Sequence, residues 1–186
     1  MSASGISDPK LLPYNRTLNI EEVPEIKGKF CYILEDYPDN GFSLLIYRKD
    51  DTVYFKFGSY DGNEFDMLNH TEYREQISKV FKHIHDYINL LKLTRVKMLQ
   101  LYFAVDGHNV MLVDARTHYN KYLSPGMLKD VIAKCGINPP NIVKIEELTD
   151  EVIGNLKSSG KRYIVKTSSP KLMVRNEDVE HVKARI

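Results

Sequence analysis

Two cysteines in 186 residues exclude a fold stapled by a disulfide framework. Cys31 lies in the apolar run Phe30, Cys31, Tyr32, Ile33, Leu34, the setting of a buried reduced thiol, and Cys135 is far from it in sequence. No apolar stretch is long enough to cross a bilayer, so no membrane partner is expected. Residues 1–8 are small and polar and lack the apolar centre of a secretion signal. The expectation is a cytoplasmic chain, in which the glycosylation-type triplets at Asn15 and Asn69 are coincidental. Charge of one sign is missing as well. Lys and Arg number 26 against 25 Asp and Glu, so no global field draws the chain to nucleic acid or membrane. Electrostatic attraction must come from a local patch.

The usual catalytic signatures are also absent. No serine stands in a glycine-flanked elbow, neither cysteine has a neighbouring base motif, and no glycine-rich loop offers to cradle phosphate. Ser158-Ser159-Gly160-Lys161 reads as a helix end followed by a lysine. His83 and His85 are two residues apart, which on a helix points their rings about 200° away from each other, so they do not share a metal. Tyr102-Phe103-Ala104-Val105-Asp106-Gly107-His108-Asn109-Val110 resembles the opening of metal-dependent nucleases of the NYN/PIN type, in which the aspartate helps hold a divalent ion. That chemistry needs several converging carboxylates, and the segment continues into a strand where such an enzyme requires a helix. The hairpin reading is preferred. No cofactor, metal or catalytic residue is expected.

What is present is an ordinary globular balance, 42% hydrophobic and 27% charged, in a length suited to one core. Residues 1–27 read as an N-terminal arm, 28–167 as a single core domain, and 168–186 as a charged tail with a short helix from Glu177. Residues 29–36, 42–49 and 52–60 form three β-rich runs separated by turn chemistry, and read as an antiparallel meander. Ile77, Val80, Phe81, Ile84, Ile88 and Leu91 recur at helical spacing and predict one long amphipathic helix over 71–93. Strands at 97–105 and 109–117 follow, joined by Asp106-Gly107-His108. Ser124-Pro125 opens a second helix in a favoured way. A short strand at 142–145, a helix capped by Thr149 and a strand at 162–166 make a smaller C-terminal α/β piece. The fold class is α+β, antiparallel sheet with the long helix packed on one face.

Alternation within the strands then suggests a site. If the wholly apolar sets face the helix, the opposite sheet face presents Tyr47, Lys49, Tyr54, Lys56, Tyr102 and Arg116. Tyrosines stack on splayed bases and cations meet phosphates, as in proteins that hold single strands. Lys161, Arg162, Lys166, Lys171 and Arg175 stand in a stretch with no acids, and the first four extend the candidate surface. The order of strands, helix, strands, helix is similar in outline to the Whirly and PUR families of single-strand-binding proteins. That resemblance implies self-association into an oligomer, and no residue is carried over from it. The resulting expectation is a non-enzymatic protein that binds RNA or single-stranded DNA. The alternative is a structural protein of a viral particle or larger complex, its arms packed on neighbouring subunits.

Overall fold

Local chemistry sets the hairpins. The computed structural model describes residues 9–70, 72–94, 96–117, 122–167 and 182–186. In chain order its elements are β1 (Leu18–Asn19), β2 (Phe30–Glu35), β3 (Gly41–Lys49), β4 (Thr52–Ser59), α1 (Arg74–Phe81), α2 (Ile84–Thr94), β5 (Met98–Asp106), β6 (Asn109–Thr117), α3 (Pro125–Asp130), β7 (Ile142–Glu147), α4 (Asp150–Ser158), β8 (Tyr163–Thr167) and β9 (Lys183–Arg185). Asp50 and Asp51 both take positive φ, the two-residue turn whose twist matches the strands it joins, and Lys49 pairs with Thr52. Gly107, at φ +59°, turns β5 into β6 so that Asp106 pairs with Asn109. Ser124 and Thr149 cap α3 and α4 by accepting from the amides of Met127 and Val152.

Two sheets result, in the mixed α+β class that the sequence predicts. One runs β4-β3-β5-β6 and is antiparallel throughout. The other runs β1-β9-β8-β2-β7, antiparallel except for the short β1–β9 pair. The expected meander is corrected: β3 and β4 form a hairpin, but β2 lies in the other sheet between β7 and β8. Residues 36–40 carry the chain across, and Arg185 fixes the crossing by donating to Asp36, Asp39 and the Tyr37 carbonyl at 2.8–3.0 Å. The single helix expected over 71–93 is also corrected to two. Its ladder breaks after Lys82, where the His83 carbonyl accepts from both Asp86 and Tyr87. The His83 ring lies so close to Gly136 that a Cβ there would stand 2.4 Å away, so the turn after α3 packs into the bend.

The outer face of the first sheet packs on α1, α2 and α3 through Phe42, Leu44, Ile46, Leu101 and Phe103 against Val80, Tyr87, Leu91 and Leu128. The outer face of the second packs on α4 and the short turns at Ile20–Glu22 and Pro24–Ile26, through Cys31, Ile33 and Val165. The inner faces meet through Leu34, Tyr37, Tyr102, Ala104, Val113 and Ile164. Between the sheets lies the chemistry.

Candidate functional site

Alternation does place Tyr47, Lys49, Tyr54, Lys56, Tyr102 and Arg116 on one face of the first sheet, as their cross-strand pairs show. That face is mostly covered. Tyr102 is wholly buried, Tyr47 and Arg116 nearly so, and only Tyr54 among the six is exposed. The outer part of the face is occupied by its own side chains: Tyr47 stacks on Tyr54 with ring centroids 5.5 Å apart, and the Lys56 ammonium lies over the Tyr47 ring. Lys161 and Arg162 are exposed in the turn between α4 and β8, on the other sheet. Lys166 is fully buried between the sheets, and Lys171 lies outside the described residues.

The inner cleft gathers residues from both sheets. A bulge shifts the β5–β6 register between Tyr102 and Phe103, so that Tyr102 faces Asp114 while Phe103 faces Leu112. The bulge frees the Val113 carbonyl from the ladder. Lys166 on β8 takes it, donating to Val113 at 2.5 Å while its Nζ stands 3.1 Å from the Asp114 carboxylate. Both side chains of that pair are fully buried. Burial pulls the Lys166 pKa down, but Asp114 and Tyr37 outweigh it, and the ammonium is held charged.

Lys183 on β9 is the direct cross-strand neighbour of Lys166. Among the described residues its amine has no hydrogen-bond partner, and it stands 3.6 Å from the centroid of the Tyr14 ring. Burial is the main reason that its pKa falls from 10.5 to about 7, and the positive charges of Lys166 and Arg185 add to the fall against the opposing pull of Asp114 and Asp39. The cleft therefore holds Lys166 as a fixed cation, while burial disfavours the charged form of Lys183.

Aromatic rings complete the cleft. Tyr14 stacks on Tyr102 at 4.3 Å and 14°, meets Tyr60 edge-on at 4.9 Å, and donates its hydroxyl to Asp114. Tyr122 lies parallel-displaced from Tyr102 at 6.2 Å, with the Arg116 guanidinium 4.8 Å above its own ring. Burial raises the pKa of Tyr14, Tyr60 and Tyr102, so all three stay protonated as hydrogen-bond donors. Beside Tyr14 the cleft opens into a recess of about 320 Å³ that includes Asp39, Gly41, Tyr60 and Tyr73. No group of three potential metal ligands occurs among the described residues, and no helix there is long and apolar enough to cross a membrane.

The sequence gives no role to Tyr14, Gln100 or Lys183, and offers Asp114 only beside Asp106, as a carboxylate of a dispersed enzyme site that ranks third. A signal was available for Gln100 and Asp114, polar side chains within otherwise apolar strands. Tyr14 and Lys183 carry no such mark, because Tyr14 lies in a segment outside any strand or helix and Lys183 in a strand of only three residues.

No family model matches this sequence, and no curated protein matches it. Among solved structures, an apo variant of a Naegleria gruberi RNA ligase superposes with a TM-score of 0.60 at 16% identity, covering 94% of this chain and 55% of the ligase. A variant of that ligase with AMP and manganese gives 0.60 at 14% identity, covering 96% and 56%. Another with ATP and manganese gives 0.59 at 15% identity, covering 98% and 60%. The likeness establishes the fold, and the chain spans a little over half the length of the ligase. Two expectations are corrected by these findings. The non-enzymatic strand-binding protein rested on an open aromatic face that is in fact mostly covered, and the fold is one shared with an RNA ligase. The structural or viral assembly alternative loses its support in the same way, since the fold neighbours are RNA ligases.

Proposed function

We propose that this chain is the nucleotide-binding part of an RNA-joining or RNA-modifying enzyme, and that a nucleoside triphosphate enters between the two sheets. The observation that carries the reading is the inter-sheet cleft, which combines a stacking platform with buried cations in the fold of an RNA ligase. The Naegleria gruberi ligase has been solved with ATP and manganese, with AMP and manganese and with pyrophosphate, which supports a triphosphate as ligand and RNA as substrate here.

The residues divide the work by chemistry. Tyr102 offers a planar face at the position where an aromatic ring already stacks. Lys183 faces the same space with an amine that has no hydrogen-bond partner among the described residues, so an entering phosphate gives it an anionic one. Lys166 is locked to Asp114 and Val113 and sets the local potential without leaving them. Arg116, already donating to Tyr102, stands on the other side of the stack. An incoming phosphate restores the Lys183 charge by raising its pKa, and nucleotide binding near neutral pH then takes up a proton.

Equilibrium dialysis of the folded full chain and of a Tyr14→Ala variant against labelled ATP, with and without manganese, tests the reading. At least one of the two should bind with a dissociation constant below about 1 mM, competed by AMP and by pyrophosphate. Lys183→Gln should weaken binding about ten-fold or more, the expected loss of a charge-assisted contact to phosphate. Failure of both folded proteins to bind ATP contradicts the proposal.

A further inference from the structure

The cleft is not empty, and its occupant is the chain itself. Residues 11–14 run across the inner face of the first sheet as an extended strap. Leu11 is buried against Leu45, Tyr47 and Met98. The Leu12 amide donates to the Gln100 side chain at 2.9 Å, and its carbonyl accepts from Gln100 at 2.9 Å and from the Tyr102 hydroxyl at 3.1 Å. The Pro13 carbonyl accepts from Arg116 at 3.3 Å, and the Tyr14 amide donates to the Tyr60 carbonyl at 2.7 Å. Tyr14 then places its ring between Tyr102 on one face and the Lys183 amine on the other.

The surface under the strap is unlike a core waiting for a lid. A segment that only completed a core would lie on aliphatic side chains throughout. Past Leu11 this one lies on Gln100, Tyr102, Asp114, Arg116 and Lys183, groups that need polar partners when buried and that water or a polar ligand would satisfy as well. The strap satisfies them unevenly. It pairs Gln100 on both ends of its amide but gives the Lys183 amine no acceptor of its own.

We propose that residues 11–14 act as an intrasteric plug, with Tyr14 standing where the base of a bound nucleotide stacks, and that the site opens when the strap lifts. The idea rests on the nucleotide-binding reading for the identity of the ligand, but not for the plug itself. A ligand that needs the lifted state binds with an affinity reduced by the fraction of molecules that are open. Anything that weakens the strap therefore tightens binding without touching the groups that hold the ligand.

Two variants of the full chain separate the plug from the ligand. Tyr14→Ala removes the stacked ring, and Leu11→Ser removes the apolar anchor at a distance from the cleft residues. Each is checked for cooperative thermal unfolding and then examined twice. The first readout is acetylation of Lys183 by acetic anhydride at pH 8, mapped by mass spectrometry with exposed Lys161 as the internal reference. The second is ATP affinity by dialysis. The plug predicts at least about ten-fold faster Lys183 acetylation in both variants, with ATP binding tightened by a comparable factor. Faster acetylation with no ATP binding in any form supports the plug and rejects the nucleotide reading. Equal ATP affinity in wild type and both variants, or Lys183 acetylation unchanged in both, overturns the plug. Should Tyr14→Ala not fold, Leu11→Ser and Tyr14→Phe, which keeps the ring and loses the bond to Asp114, carry the same comparison.

Discussion

Asp114 shows how much can rest on one side chain. It is fully buried, accepts from Tyr14, and neutralises a lysine that is itself fully buried. Replacing it by alanine strands the Lys166 ammonium, and the expected loss is about 3–5 kcal/mol of stability by chemical denaturation. Pairing Asp114→Ala with Lys166→Met should recover much of that loss, because the second change removes the stranded charge. A double variant no more stable than Asp114→Ala alone would show that the ion pair is not the source of the cost. Lys183 behaves in the opposite sense. Its folded pKa of about 7 lies below its ordinary 10.5, so between those values the unfolded chain holds one more proton than the folded one. Stability from this group therefore rises with pH from about 7 towards 10.5, where the cost of burying its charge has gone. Above about 10 the buried tyrosines work against it, since unfolding then releases their protons. A Lys183→Met variant should show a flatter stability profile between pH 7 and 10 than wild type, measured by urea unfolding.

Elements whose shape is decided by neighbours in sequence were legible before the structure. Gly107 marked the β5–β6 hairpin, Asp50-Asp51 the β3–β4 turn, and Ser124 and Thr149 the starts of α3 and α4. Long-range partners were not. The run 29–36 is as strand-like as the hairpin beside it, and nothing local says that it pairs with β7 and β8 instead of β3. The break after Lys82 was hidden too, because the apolar spacing continues through it and the backbone that packs against it, at Gly136, is more than fifty residues away. The same limit applied to the site. Alternation correctly put Tyr102 and Arg116 on one face with Tyr47, but the cover on that face comes from a segment 88 residues before Gln100. A period-two pattern tells which side chains share a face and leaves open what lies on it.

At the scale of the whole molecule, two sheets carry their helices outside and press together inner faces that mix an apolar cluster with buried polar side chains, and each buried polar group needs a partner. Among the described residues the gap holds the Lys166–Asp114 pair, the Lys183 amine with no hydrogen-bond acceptor, and a stack of tyrosines that ends in a residue of the chain's own N-terminal strap. The chain spans a little over half of the length of the ligase whose fold it shares. The measurement closest to the central claim is photo-crosslinking of the folded Tyr14→Ala chain with an azido-adenine ATP analogue, followed by peptide mapping and competition with unmodified ATP. Competed label on the facing strands, on β5 around Tyr102 or β6 around Arg116, with protection of Lys183 from acetylation, is the expected result. Label confined to the helix-covered side of the first sheet, such as the exposed Phe81 on α1, or label that ATP does not displace, would contradict a nucleotide site between the sheets.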